Sequence, residues 1–323
     1  MMRHLFCIPG ALTVWGAGTR GRFGWAVAAV LLLAVAGCGS GDSAEAVPLS
    51  QLVAQAQREP DPEFRARELI RLADRQRRLG DRSGARQTLA LAQKACGQIA
   101  DPAAQAGAWL FLARAYTRLG ELSQAGQFLR QGQSALQRVK SPEDRVTVLI
   151  KLARAQFEMK QTTQAANTLR RAEEEVAAIE VGSGSGQLPL QEKAQLFVQL
   201  AAAYQKWKQA AGARRVIASL EGLETQAQGP RDRSRLWALV AQARRQADMP
   251  SAEAWKKAKQ CAGQIEDPLS RGHAWADLAE AATAAGRAAE VGQLLARAQK
   301  AADQMPPGSL RNELLERIGR LRR

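Results

Sequence analysis

Beyond residue 37 this chain carries one histidine, His273, three cysteines, Cys38, Cys96 and Cys261, and one run of three adjacent acids, Glu173-Glu174-Glu175. Nucleophilic catalysis needs a nucleophile beside a base, and a base oriented by a third group. With a single histidine no Ser-His-Asp or Cys-His set can be assembled, and no phosphate-cradling glycine loop is present. No His/Cys cluster has metal-ligand spacing. The sequence therefore implies no enzyme, no cofactor and no metal. His273 reads as an ordinary solvated histidine, and the acidic run as a solvated outer face of a helix. What the chain does have in quantity is positive charge, 46 Lys and Arg against 31 Asp and Glu. Chemistry by charge and shape, that is binding, is what these residues can do.

The charge is laid on a repeat. Leu-Ala pairs, or Val-Ala once, stand at Leu72-Ala73, Leu112-Ala113, Leu152-Ala153, Leu200-Ala201, Val240-Ala241 and Leu278-Ala279. The intervals are 40, 40, 48, 40 and 38 residues. Three residues before each anchor comes a large side chain: Leu69, Trp109, Leu149, Phe197, Trp237 and Trp275. Large against small at helical spacing is what packing one helix pair on the next requires. The stretch Trp109–Ala135 shows the unit best. Trp109, Leu112, Ala113 and Tyr116 stripe one helix, Gly120 breaks it, and Ala125, Leu129, Gly132 and Leu136 stripe a second.

These residues resemble the tetratricopeptide (TPR) repeat, with Gly132 where that pattern usually has alanine. The resemblance implies an all-α solenoid of about six antiparallel helix pairs with capping helices, and covers residues 50–323. The units fall near 63–102, 103–142, 143–189, 190–230, 231–268 and 269–307, with a cap at 308–323. The period departs from the family's usual 34 residues, and the excess is expected at the end of each second helix, lengthening it by about one and a half turns. A HEAT-like array also has this period and stays open as the alternative. Proline punctuates the boundaries at Pro62, Pro102, Pro142 and Pro268, each behind an Asp or Ser able to cap a helix start. The eight-residue excess of the 48 interval, near 181–189, reads as a flexible loop. Leu52, Val53 and Ala56 read as a half-repeat cap.

In TPR arrays the first helices line a concave groove. Carried over position by position, the resemblance puts Arg67, Arg77 and Arg78 there in the first unit, and Arg114 and Arg118 in the second. Arg154, Lys206, Arg235 and Arg245 follow, with only Asp74, Glu158 and Glu280 opposing. The groove residues are expected to be solvated, so that reversing Arg114 and Arg154 spares the fold. The asparagines of the family's carboxylate clamp are absent, so that recognition is not implied.

The N-terminus reads separately. Arg3, Arg20 and Arg22, then the apolar run 24–37, describe a secretory signal, and that run is too short to span a bilayer. Val35-Ala36-Gly37-Cys38 resembles the bacterial lipobox, which implies cleavage before Cys38 and acylation of that cysteine. Gly39 rather than Asp implies export to the outer membrane, facing the periplasm. Residues 1–37 would then be the signal peptide and 38–49 a tether. Losing three arginines leaves 43 basic against 31 acidic residues, a net +12. Cys96 and Cys261 occupy corresponding positions in units one and five, too far apart for the roughly 7 Å limit of a disulfide, and read as buried free thiols. The expected function is an exported, lipid-anchored scaffold holding an acidic protein or peptide in a basic groove. An adaptor for an anionic envelope polymer or headgroup is the alternative. Nucleic acid is not an expected partner of an exported chain, and the lipid is the expected membrane contact.

Overall fold

The computed structural model describes residues 47–184 and 187–323, so Cys38, the signal and most of the tether lie outside the described residues. Fourteen α-helices follow one another in the region from Pro48 to Arg323. α1 (Leu49–Gln57) leads into six pairs. The first helices are α2 (Pro62–Arg78), α4 (Pro102–Leu119), α6 (Pro142–Glu158), α8 (Leu190–Lys206), α10 (Pro230–Gln246) and α12 (Pro268–Ala284). Their partners are α3 (Arg82–Gly97), α5 (Leu122–Leu136), α7 (Thr162–Ala178), α9 (Ala210–Gly222), α11 (Ala252–Gly263) and α13 (Ala288–Asp303). α14 (Ser309–Leu321) closes the array.

Each first helix packs on its own second helix and on the first helix of the next unit, and each second helix packs on the following first helix. This is a TPR-like solenoid, as the periodicity predicts. All six anchor pairs are buried, from 0% to 5% exposed. First helices approach one another directly and second helices do not pack comparably, so the first helices face the inside of the curve.

Both ends of the helices are set by local chemistry. Asp61, Asp101, Ser141 and Asp267 accept from Glu63, Ala104, Asp144 and Ser270 backbone N–H at 2.8, 2.7, 3.2 and 2.8 Å. Proline follows at the position whose N–H needs no partner. Eight residues past every anchor the backbone turns left-handed: Gly80, Gly120, Lys160, Lys208, Asp248 and Gly286 have φ of 87, 91, 63, 58, 53 and 64°. One residue per unit thus ends each first helix and starts the turn into its partner.

Two expectations change. No second helix outruns its first: the pairs measure 17 and 16, 18 and 15, 17 and 17, 17 and 13, 17 and 12, and 17 and 16 residues. The prolines open the first helices about ten residues before the anchor, and the added length goes there. The 48 interval does not hold an unpinned loop. Val181 bridges Leu188, Gly182 N–H donates to Leu188 O at 2.9 Å, and Leu188 N–H donates to Glu180 O at 3.0 Å.

Gly132 is glycine for a steric reason. A Cβ there would stand 2.8 Å from Leu110 Cγ and Cδ2, so α5 lies against α4 more closely than alanine allows. Cys96 and Cys261 are free and buried. Burial pushes the Cys96 thiol up to about 12, which keeps it protonated and inert.

Candidate functional site: a basic groove on the first helices

Two positions after the anchors stand Asp74, Arg114 and Arg154, and six after stand Arg78, Arg118, Glu158 and Lys206. On consecutive helices these become neighbours. Glu158 on α6 sits at the centre. It takes Arg114 Nη2 at 2.7 Å and Nε at 2.9 Å, Arg118 Nη2 at 3.3 Å, and Arg154 Nε at 3.4 Å. The Arg154 contact is an ion pair without hydrogen-bond alignment. Asp74 on α2 is the second acid, with Arg78 at 2.9 Å, Arg77 at 3.1 Å and Arg118 at 3.8 Å. Arg118 therefore links the two clusters across α2, α4 and α6. Five arginines pair with two carboxylates, and the surplus is positive.

The electrostatics record the crowding. Burial raises the cost of charge on Glu158, yet the bond and charge of Arg114 with the charges of Arg118 and Arg154 outweigh it, and its pKa falls. The Lys206 ammonium is pushed down, first by burial and then by Arg154 and Arg114, against the pull of Glu158. Arg114 is pushed down by burial, with Glu158 opposing. An anion arriving here would relieve cation–cation repulsion already present.

Arg114 departs from the expectation of a solvated groove residue. It is 6% exposed, lies over the Phe111 ring at 5.6 Å, donates its Nε–H to Glu158 and pairs with it through Nη2, so it is part of the packing. Arg118 and Arg154, each 40% exposed at the side chain, are the accessible members. Arg114 is therefore not solvated, and the ground for expecting its reversal to spare the fold is removed.

The other predicted positions are placed apart. Arg67 pairs with Glu63 at 2.7 Å and lies over Phe64 on its own helix. Arg235 on α10 meets Asp277 on α12 at 2.7 Å. Arg317 of α14 reaches Asp277 at 2.8 Å and Glu280 at 2.9 Å. The second half of the groove is thereby compensated, and there a cleft of about 290 Å³ is lined by Ser234, Arg235, Ala238, Gln242, Asp277 and Ala281 among others. Arg245 extends over the next turn, its guanidinium 3.3 Å from where a Gly286 Cβ would be. His273 is not an ordinary solvated residue. It is half-buried, its Nδ1 3.3 Å from Arg317 Nη1, and burial followed by the Arg317 and Arg231 charges lowers its pKa.

The acidic run also leaves the outer-face role expected of it. Glu173 accepts from Tyr204 Oη at 3.0 Å and pairs with Arg215 at 3.1 Å, tying α7 to the next unit. Glu175 takes Arg145 at 3.0 Å and Arg171 at 3.1 Å. Only Glu174 is an exposed pair member, with Arg170.

Part of the basic excess proves structural. Seven residues before the anchor stand Arg65, Gln105, Lys193 and Arg271 in four of the units. Each donates to carbonyls at or just past the end of the preceding helix. Gln105 reaches Ile99 O at 3.0 Å, Lys193 reaches Ala177 O at 3.3 Å and Ile179 O, Arg271 reaches Ile265 O at 2.8 Å, and Arg65 reaches Glu59 O. These clips close orphan carbonyls at helix ends.

No family model matches the chain, and no curated protein matches it. Among solved structures it is similar to Ton1535 from Thermococcus onnurineus NA1, at 14% identity and a TM-score of 0.40, over 84% of this chain and 95% of that one. It is similar to BtubC (BKLC) from P. vanneervenii, at 18% and 0.37, over 81% and 92%. A putative kinesin light chain of Podosopora anserina with nearly identical TPR-like repeats gives 20% and 0.34, over 75% and 96%. Function has to be argued from this chain's own groove.

Proposed function

We propose that the protein is an exported, lipid-anchored scaffold that holds an acidic protein or peptide along α2, α4, α6 and α8. The observation that carries this is the surplus of Arg118, Arg154 and Lys206 around Glu158, with two of these cations at least 40% exposed on successive first helices. A folded array that crowds like charges on its inner face holds them ready for a counter-charge. No described helix is long and apolar enough to cross a membrane. Acylation at Cys38, outside the described residues, is the proposed attachment, and several acyl chains suffice for stable anchoring.

Crosslinking in cells followed by capture of the lipidated protein supplies the partner. Its affinity is then measured for wild type, for Arg118→Glu with Arg154→Glu, and for Arg130→Glu with Arg170→Glu on second helices. A larger loss in the groove pair, shrinking as salt rises, supports the reading, because screening shortens from roughly 10 Å at 0.1 M to about 3 Å at 1 M. Equal losses in the two pairs sink it. Metabolic labelling with a fatty-acid probe tests the anchor, and label retained in Cys38→Ala removes it.

A further inference from the structure

The turns inside the helix pairs all lie along one edge of the array, and the loops between pairs lie along the other. The two edges differ in charge. On the turn edge stand Lys160, Lys208, Arg320 and Arg322, all exposed, together with Arg78, which pairs with Asp74, and Arg82, which donates to the Leu119 carbonyl. Among its acids, Asp81 caps Gly84 N–H at 2.8 Å, Glu121 pairs with Arg86, and Asp248 accepts from Gln205 Nε2 at 2.7 Å. The loop edge carries Asp61, Asp101, Glu143, Asp144, Asp232 and Asp267, three of them capping helix starts, against the exposed Lys140 and against Arg65, Lys193 and Arg271, which are occupied by backbone carbonyls.

Two further observations fall on the turn edge. Leu79 and Leu122 are 69% and 60% exposed there, beside the arginines of the first two units, and Phe64 and Leu310 are 58% and 55% exposed on the loop edge, so charge rather than apolar area separates the two edges. Lys160 and Lys208 hold φ of 63 and 58° at the position where three other units have glycine. A lysine in that conformation is strained where glycine is not. Its long side chain, standing off the turn, is what the strained residue keeps.

We infer that the turn edge is the face this protein lays on an anionic phospholipid surface, with leucines at the headgroup boundary and lysines and arginines over the phosphates. The inference rests on the lipid-anchored reading above. The membrane then lies beside the groove rather than across it. A bound partner meets both surfaces, and the acidic loop edge points away from the bilayer.

The test uses the full chain with vesicles of phosphatidylglycerol and phosphatidylcholine. Leu79→Cys and Leu122→Cys place a polarity-sensitive dye on the turn edge, and Phe64→Cys and Leu310→Cys place it on the loop edge. Cys96 and Cys261 are 0% and 9% exposed and are shielded from labelling in the folded protein. A blue shift and quenching by a lipid-borne quencher at 79 and 122, absent at 64 and 310, is the expected result. The signal should fade in pure phosphatidylcholine and in high salt. Equal signals at both edges, a signal only at the loop edge, or indifference to phosphatidylglycerol would overturn the inference. Lys160→Gly and Lys208→Gly relieve the turns, so the fold survives them, and each should weaken partition onto phosphatidylglycerol vesicles about fivefold. Unchanged partition in both also overturns it. Failure of the anchor reads differently. Cys38 then takes no acyl label, and the four dyes are placed on a Cys38→Ala background, where added vesicles still report the edge.

Discussion

Arg114 separates folding from binding in this groove, and its removal gives a number. The side chain is 7% exposed and its Nε and Nη2 lie 2.9 and 2.7 Å from Glu158. Breaking a fully buried pair from one side costs about 3–5 kcal/mol. Glu158 is 24% exposed and keeps Arg118 and Arg154, so Arg114→Ala should cost less, about 2–3 kcal/mol. For a domain of this size that is a fall in melting temperature of roughly 5–10 °C. Arg118→Ala removes a 40% exposed cation from the same carboxylate and should cost about 1 kcal/mol or less. The two variants are compared by circular dichroism in thermal and urea unfolding at two salt concentrations. Only the Arg118 effect should diminish appreciably with salt. If Arg114→Ala and Arg118→Ala shift the midpoint equally, Arg114 is a solvated groove cation after all and its packing role is wrong. If the prediction holds, a partner lost by an Arg114 variant says nothing about groove contacts.

Glu290 is held at about 2: burial opposes its charge, but bonds from Lys259, Trp255 and Arg287 prevail. The stability it contributes is therefore complete above the unfolded value of about 4.3 and fades as pH falls toward 2, and Glu290→Gln should flatten that limb of the urea midpoint measured from pH 6 to 2.5. Gly132→Ala gains about 1 kcal/mol of helix propensity but forces Leu110 aside at about 1–3 kcal/mol, so calorimetry should show a net loss, reduced when Leu110→Val is added. Lys193→Met leaves the Ala177 and Ile179 carbonyls unpaired in a site 4% exposed and should cost about 1–3 kcal/mol, with faster amide exchange confined to the end of α7.

The architecture was legible because each unit states it twice. The anchors Leu72 to Leu278 give the period, and Asp61, Asp101, Ser141 and Asp267 give the starts. The groove was half legible. Residue type and register place Arg114, Arg118, Arg154 and Lys206 on one face. They cannot tell which cation the neighbouring helix buries, because that depends on Glu158 arriving from α6 and Phe111 from α4's own preceding turn. Asp277 and Arg317 escaped because they neutralise Arg235 and Glu280 from outside the carried-over positions. The clips at Arg65, Gln105, Lys193 and Arg271 had a periodic signal, seven residues before each anchor. In an arginine-rich chain that signal looks like composition. The direction of Glu173 was hidden for a related reason, since its partners Tyr204 and Arg215 belong to the next unit.

The excursion between Glu180 and Pro189 closes on itself through Gly182 and Leu188, and the Lys193 clip still reaches Ile179 across its base. Forty-eight residues of chain thus occupy a forty-residue step, and contour length is uncoupled from the count of stacked units. This makes the loop a port. An affinity handle or protease site introduced within the span that the Gly182–Leu188 pairing closes would leave α6 and α8 in register. Whatever binds the groove could then be captured, washed and released by cutting the carrier at a point that supports no load.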